Sequence, residues 1–203
     1  DKAVADVDIR GADYRVAREA MRHLKQAFFV AEQQYILGTG ADANGFTGFA
    51  NSTGLDKTGD EMVIDGGSSA GTANSSVYLV RMEAENGVCG VMPMENAITL
   101  GETLTVEATG ASGNYPAYYT PLEAWMGLQI GGARDIARIC NLDDGSNKLT
   151  DAKLYTALEL FPTGGMPNVI LMTRRSRRQL QASRTATNVT GAPAPFPTEV
   201  EGV

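Results

Sequence analysis

The stretch DYRVAREAMRHLKQAFFVAEQQYIL, residues 13–37, decides the fold. Its apolar side chains recur at alternating steps of three and four residues, which is the spacing of one helix face. This apolar stripe consists of Tyr14, Ala17, Met21, Leu24, Phe28, Ala31 and Tyr35. Asp13 is placed to cap the start of the helix, and Gly38 suits a left-handed residue at its end. The pattern predicts one long helix of about 37 Å.

Two packing arrangements fit this helix. A dimeric coiled coil needs only a narrow apolar seam, whereas Val16, Phe29, Val30 and Ile36 widen the apolar surface beyond such a seam. The wide surface favours a helix that docks on a sheet. We therefore expect the stripe to pack against the strand predicted around residues 122–130.

Composition excludes several classes of protein. The 203 residues are 43% hydrophobic and 20% charged, as in globular proteins, and the net charge of −7 opposes nucleic-acid binding through the overall field. The longest apolar run, residues 27–31, is far shorter than the roughly 20 residues of a membrane span. The first residues lack the pattern of a signal peptide, so a reduced, cytoplasmic setting is the expectation.

The residues that carry chemistry are few. His23 is the only histidine and lies within the predicted helix, while Cys89 and Cys140 are too few for a zinc site or a disulfide framework. The adjacent acids Asp143 and Asp144 fall in a turn-like segment. We predict no catalytic residue, no cofactor, no metal site and no enzymatic activity. A hydrolase that uses His23 is the weakest alternative.

Residues 38–76 form a glycine-rich region, with nine glycines in 39 positions. Such a composition raises the entropy cost of ordering the backbone. Phe46, Phe49 and Leu55 are the side chains expected to attach its first part to the core. We expect the rest to be the most mobile internal segment of the chain.

The middle of the chain predicts β-hairpins. Residues 76–82 and 88–92 are mostly apolar segments that predict strands, joined by the hairpin signal Asn86-Gly87. Residues 104–108 and 122–130 alternate with period two and predict a second, very long hairpin. After it, residues 133–140 are predicted to add a short helix.

The last third contains a predicted helix over residues 151–161, a short strand over 168–173 and a helix over 174–183 that Thr173 can cap. Arg174, Arg177 and Arg178 fall at i, i+3 and i+4, and so share one face of the last helix. We predict that these arginines contact another subunit rather than DNA, with a merely solvated face as the equal alternative. Acidic partners on a neighbouring copy would be Glu199 or Glu201.

Several blocks of sequence resemble, in their order, the major capsid proteins of tailed bacteriophages, which have the Hong Kong 97-type fold. None of the blocks is a catalytic fingerprint, and together they span most of residues 1–200. In chain order they are EQQYILG (32–38), NGFTGFANSTG (44–54), SSVYLVRMEAENGVCGVMPMENA (75–97), TLTVEATG (103–110), NYPAYYTPLEAWMGLQI (114–130), ARICNLD (137–143) and NVILMTRRSRRQLQAS (168–183).

The resemblance implies an α+β phage major-capsid-like fold with a long spine helix, a long β-hairpin and a smaller α/β axial domain. Residues 1–54 would hold the spine helix and its follow-on in the peripheral domain. Residues 55–145 would hold the glycine-rich loop and the hairpins, and residues 146–203 the helix-strand-helix of the axial domain. The chain then looks like a fragment that lacks the N-terminal arm and the C-terminal end of such proteins.

The function implied by the resemblance is that of a structural subunit of a phage or prophage capsid. It would assemble with itself, through pentamers and hexamers, into an icosahedral virion shell around double-stranded DNA, inside the bacterial cytoplasm. A scaffolding protein and a portal are further implied partners, DNA would be enclosed without sequence-specific binding, and no membrane is involved. The alternative is a non-enzymatic surface or adhesin-like binding module.

Overall fold

The computed structural model describes residues 8–69, 74–92, 98–110 and 113–187, with side chains as far as residue 184. The chain is a mixture of helix and sheet, which confirms the α+β class. It divides into two compact units, Asp1–Phe46 with Val91–Gly127 and Thr47–Gly90 with Leu128–Val203. Both units are built from separate parts of the chain. The division into residues 1–54, 55–145 and 146–203 stays a prediction.

The described helices are α1 (Ala12–Leu37), α2 (Asp151–Leu158) and α3 (Arg174–Thr187). The described strands are β1 (Val63–Asp65), β2 (Ser75–Val80), β3 (Val88–Val91), β4 (Ile98–Leu100), β5 (Leu104–Gly110), β6 (Gly113–Tyr119), β7 (Leu122–Ala124), β8 (Gly127–Ile130), β9 (Ile136–Leu142) and β10 (Val169–Leu171).

Helix α1 confirms the long helix expected from the apolar stripe. Its end is also as predicted, because Gly38 adopts a positive φ of 57° and its N–H donates to the carbonyl oxygen of Gln34. The predicted cap at its start is wrong. The helix begins after Gly11, with φ 89° and no side-chain cap, and Asp13 instead lies in the first turn, where its charge favours the helix dipole.

The chain that leaves α1 is held by Gln34. This side chain is buried, and its Nε2 donates to the carbonyl oxygen of Phe46 at 2.6 Å. A Cβ atom at position 45 would lie 2.2 Å from the same Nε2, so only Gly45 allows the approach. The rings of Tyr35 and Phe46 meet edge to face with centroids 5.0 Å apart. These contacts give a physical reason for the burial of the polar Gln34 near the end of the helix.

The first unit also contains two antiparallel ladders. Strand β4 pairs with β7, and β5 pairs with β6 up to the Gly110–Gly113 pair beside the turn. Between the ladders, the hydroxyls of Thr103 and Thr120 lie 2.7 Å apart. Pro116 in β6 is compatible with this arrangement because a two-stranded ladder leaves one edge of each strand unpaired.

The second unit is built on a four-stranded sheet with the order β1-β9-β2-β10. Strand β9 is parallel to β1 and antiparallel to β2, while β10 is antiparallel to β2. The core of this unit surrounds the two central strands and includes Val77, Leu79, Val80, Ile136, Ile139, Leu142, Leu149, Leu154 and Leu180, all almost fully buried.

Strand β9 corrects the prediction of a short helix over residues 133–140. The segment IARICNL is a central strand that is covered on both faces, as its burial pattern shows. Such a strand has a nearly continuous apolar sequence rather than an alternating one. Periodicity alone does not distinguish this pattern from a short buried helix.

The predicted hairpins are only partly correct. The chain does turn at Asn86-Gly87, where the N–H of Val88 donates to the carbonyl oxygen of Arg81 at 2.8 Å, but β3 pairs with β8 and not with β2. The predicted strand over residues 122–130 is interrupted between β7 and β8, at Trp125-Met126. The ladders β3–β8, β4–β7 and β5–β6 are nested in the sequence, which is the pairing order of one long hairpin.

Residues 38–69 are more structured than their glycine content predicts. They contain 3-10 turns at Gly38–Gly40 and Phe49–Asn51 and the strand β1. Phe49 and Leu55 are buried, as predicted, and Met62 and Val63 add to the same core. Residues 70–73 lie outside the described part of the chain. The expected mobility of the region stays a prediction, although these buried side chains oppose it.

Arg138 of β9 holds part of this region in place. Its guanidinium donates to the carbonyl oxygen of Leu55 at 2.7 Å and, through the same nitrogen, to that of Ala50 at 3.4 Å. Its Nε donates to Ser76 Oγ at 3.2 Å, and the group lies 5.8 Å from the ring centre of Tyr78. The partly buried cation therefore satisfies one carbonyl group within the Phe49–Asn51 turn and one in the irregular segment that follows it.

Candidate interaction surfaces

The predicted arginine face is present on α3. Thr173 caps this helix, since its Oγ1 accepts a hydrogen bond from the N–H of Ser176 at 3.2 Å, as the sequence predicts. Arg174, Arg177 and Arg178 all have exposed positions one turn apart. The opposite face is buried through Ser176, Gln179 and Leu180. Glu199 and Glu201, the acidic partners predicted on a neighbouring copy, lie outside the described residues.

Asp144 is an acidic partner within the chain that sequence reasoning missed. One of its carboxylate oxygens lies 3.6 Å from an Arg178 nitrogen, and the other lies 3.7 Å from an Arg175 nitrogen. Both pairs are partly exposed, so each contributes only about 0–1 kcal/mol to stability. They nevertheless orient Arg178 toward its own chain.

Gln179 joins α3 to the loop that carries Asp144. Its Nε2 donates to the carbonyl oxygen of Asp143 at 2.7 Å and to Asp144 Oδ1 at 2.9 Å, and its Oε1 accepts from the N–H of Leu149 at 3.1 Å. The side chain itself is buried. The arginine face is therefore positioned by a buried polar contact that lies directly beneath it.

The same loop is shaped by Asp143. Its carboxylate accepts from the N–H groups of Gly145 and Asn147, both at 2.9 Å. These bonds, above all the one from Asn147, hold the pKa of Asp143 below its usual range. Asp143 thus builds a turn, as the sequence predicts, and its neighbour Asp144 is the acid that reaches α3.

The far end of α3 is tied to α2. Nε of Arg184 lies 2.9 and 3.0 Å from the two carboxylate oxygens of Asp151, the first residue of α2. This contact raises the pKa of Arg184. Because α3 is held at both ends, its arginines are presented on a fixed helix rather than on a mobile segment.

A second candidate surface is the apolar face of α1. The predicted packing of the whole stripe against a strand over residues 122–130 is wrong, because Gln34 is the only buried residue that α1 contributes among the described residues. Met21, Phe28 and Phe29 are 56%, 51% and 59% exposed. A helix that leaves such large apolar side chains in water has the composition of an interface rather than of a monomer's surface.

The first half of α1 instead borders a groove of about 750 Å³ in the same unit. Val16, Ala20 and Leu24 line it from the helix, and Ile98, Leu100 and Leu122 line it from β4 and β7. Arg15, Glu19 and His23 add polar side chains to it from the helix. His23 is thus placed on an exposed groove wall.

The ladders expose further apolar groups. Leu104 and Tyr119 are about half exposed, and Leu100 is 63% exposed although it borders the groove. Trp125, between β7 and β8, is 73% exposed. Together with α1 they give the first unit a large uncovered apolar area.

Metal binding and membrane insertion each require a recognisable arrangement of residues. No group of three or more His, Cys, Asp or Glu side chains within the described ranges is arranged to hold a metal ion. No helix in that part of the chain has both the length and the apolar character to cross a bilayer. Cys140 is buried, and burial raises the pKa of its thiol.

Comparison with known families identifies the class of protein to which the chain belongs. Residues 1–192 match the family described as major capsid protein GP7. The chain belongs to the GP7 family of major capsid proteins. A search of curated proteins found no match. The family confirms the resemblance to phage capsid proteins, and with it a structural role in the bacteriophage virion.

Major capsid proteins are structural subunits that assemble with copies of themselves into the capsid. A chain of this family therefore needs surfaces for contact between subunits. Obligate contacts between subunits are more apolar than ordinary protein surface. The exposed face of α1 fits that description.

Proposed function

We propose that the protein forms the icosahedral shell of a phage or prophage, through pentamers and hexamers, around double-stranded DNA. The observation that carries this proposal is the exposed apolar face of α1, on which Met21, Phe28 and Phe29 lie uncovered in a helix of 26 residues. We further propose that the shell forms in the bacterial cytoplasm, with a scaffolding protein and a portal as partners. The role is structural and non-enzymatic.

We propose that three parts of the fold correspond to the elements of a phage capsid subunit. Helix α1 is the spine helix, and the nested ladders β3–β8, β4–β7 and β5–β6 are the long hairpin. The segment α2-β10-α3 is the helix-strand-helix of the axial domain. The alternative of a surface or adhesin-like binding module has no support from the family match, which covers residues 1–192.

The face of α1 provides the first test. Replacing Phe28 by serine should raise the protein concentration needed for particle formation roughly four- to tenfold. Full burial of a phenylalanine contributes about 1.5–3 kcal/mol, the exposed half of Phe28 would contribute about half of that, and 1.4 kcal/mol is a factor of ten. Thermal unfolding of the unassembled chain should hardly change, since Phe28 is half exposed there. Light scattering against concentration measures the threshold.

The control for this test is Phe28→Leu, which keeps an apolar side chain and should assemble near the wild-type threshold. An unchanged threshold for Phe28→Ser would contradict the role of α1 in the shell. A fall of more than about 5 °C in the melting temperature of the unassembled variant would show instead that Phe28 belongs to the core of one chain.

We also propose that Arg174, Arg177 and Arg178 contact a neighbouring subunit. The double variant Arg174→Glu/Arg177→Glu reverses two charges and leaves the Asp144–Arg178 pair in place. We expect it to assemble poorly at low salt, with partial recovery at high salt, because salt screens the introduced repulsion. If the variant forms normal shells at both salt concentrations, these arginines serve only to keep the protein soluble. A loss of DNA binding without an assembly defect would favour contact with nucleic acid.

A further inference from the structure

The exposed apolar side chains of α1 recur every seven residues. Tyr14, Met21 and Phe28 have this spacing, and they are 44%, 56% and 51% exposed. Positions seven residues apart drift by only about 20° around a helix, so these three side chains form one narrow line, called here the seam. A seam with this period is what two helices need in order to pair along their length as a coiled coil.

Part of the remaining apolar surface of α1 is used within its own chain. Val16, Ala20 and Leu24 line the groove shared with β4 and β7, and the ring of Tyr35 meets that of Phe46. The width of the apolar surface, which favours docking on a sheet, therefore comes partly from these internal contacts. The seam itself is left for a partner.

A line of charges runs beside the seam. Arg18, Lys25 and Glu32 each follow a seam residue by four positions, and all three are exposed. None of them takes part in an ion pair within the described part of the chain, whereas Arg22 is already paired with Glu19. Arg18 and Glu32 are about 21 Å apart along the helix, so an ion pair between them requires a second copy.

We infer that α1 pairs antiparallel with α1 of a second copy. A two-fold axis that crosses the helices near Lys25 places Arg18 of each copy beside Glu32 of the other, with Met21 and Phe28 in the shared seam. A parallel pair would set like charges beside each other, which is unfavourable. The two Lys25 side chains meet near the axis, where their length lets both ammonium groups stay in water. This inference rests on the proposed function, since it specifies one contact between capsid subunits.

The symmetry of this contact decides where it belongs in a shell. A two-fold contact uses the same surface on both copies, and it is complete with two of them. It therefore cannot close a ring of five or six subunits. In the proposed shell it joins a subunit of one ring to a subunit of the next ring, while other surfaces build the rings. Two helices of 26 residues overlap over about 39 Å at most, so the isolated dimer should be weak.

Reversing one charge at a time tests the pairing. Arg18→Glu sets acid against acid at both ends of the pair, and Glu32→Arg sets base against base. Each variant alone should dimerise roughly tenfold more weakly than the wild type, because two attractions become two repulsions. An equimolar mixture should recover the dimer, since each acidic copy then meets a basic one. Light scattering below the particle threshold measures the masses.

The double variant Arg18→Glu/Glu32→Arg is the matched control, because it exchanges the two charges and should dimerise like the wild type. Circular dichroism should show unchanged melting for all the variants, since both positions are exposed. Contact is read directly with Arg18→Lys and a carbodiimide, which should join the introduced lysine to Glu32 of the other copy. Arg18→Lys/Glu32→Gln lacks the carboxylate and should give no such cross-linked peptide by mass spectrometry.

The outcomes distinguish the pairing from the proposed function. Single variants that dimerise and assemble like the wild type, or shells in which Arg18→Lys gives no cross-link, would overturn the pairing and leave the capsid role standing. Another part of a neighbouring chain would then cover the seam. A wild-type protein that dimerises but never forms shells would overturn the capsid role alone. Loss of the dimer in both single variants, with its return in the mixture and in the double variant, supports the antiparallel pair.

Discussion

Replacing Gln179 by methionine should lower the free energy of unfolding by about 2–5 kcal/mol. The substitution keeps an apolar stem of similar length but removes three hydrogen bonds, to the N–H of Leu149, the carbonyl oxygen of Asp143 and the carboxylate of Asp144. A buried donor or acceptor left without a partner costs about 1–3 kcal/mol. Denaturant unfolding of the unassembled chain measures the loss.

The matched control for Gln179 is Arg174→Met on the outer face of the same helix. Because Arg174 is exposed, its replacement should change stability by no more than about 0.5 kcal/mol. A loss below about 1 kcal/mol for Gln179→Met would show that the loop over residues 143–149 is not held by this side chain. The arginine face would then not be held in place by the buried Gln179, contrary to what its hydrogen bonds indicate.

Replacing Ile139 by alanine should cost about 2–5 kcal/mol, the usual range for a large-to-small change in a packed core. Ile139 lies in the central strand β9 and is completely buried. Ile130→Ala, at a position that is more than a third exposed, should cost much less and serves as the control. Thermal and denaturant unfolding measure both variants. Equal small losses would show that β9 is not at the centre of the core.

The helices could be predicted because their signals are local. The stripe from Tyr14 to Tyr35 has the helical period, Gly38 ends α1, and Thr173 caps α3. What the stripe does not reveal is its partner. An apolar face has the same sequence whether it is covered by its own chain or by another copy, and here the face of α1 is left largely uncovered in one chain.

The strands were harder to predict because their partners are distant in the sequence. Val63 of β1 pairs with Arg138, and Val80 of β2 pairs with Ile136 and with Val169. The hairpin signal at Asn86-Gly87 predicts the turn correctly, but the turn does not determine which strand becomes the neighbour of β3. Tertiary packing overrides local preference in such cases.

For the candidate surface on α3, the arginines could be predicted from the sequence, but their acidic partner could not. The spacing of Arg174, Arg177 and Arg178 places them on one face, as the structure confirms for the helix. Asp144, which lies more than 30 residues away, joins that surface only through the fold. The sequence signal that could have indicated a polar contact beneath the helix is Gln179, a polar residue next to Leu180, which is buried.

The central claim is that copies of this chain cover one another's exposed apolar surfaces in a closed shell. Electron microscopy of the purified wild-type protein, taken at the concentration where scattering rises, tests this most directly. We predict closed icosahedral particles with pentamers and hexamers resolved, and α1 buried between copies. A protein that remains monomeric at every concentration, or that forms particles with α1 still open to solvent, would contradict the account.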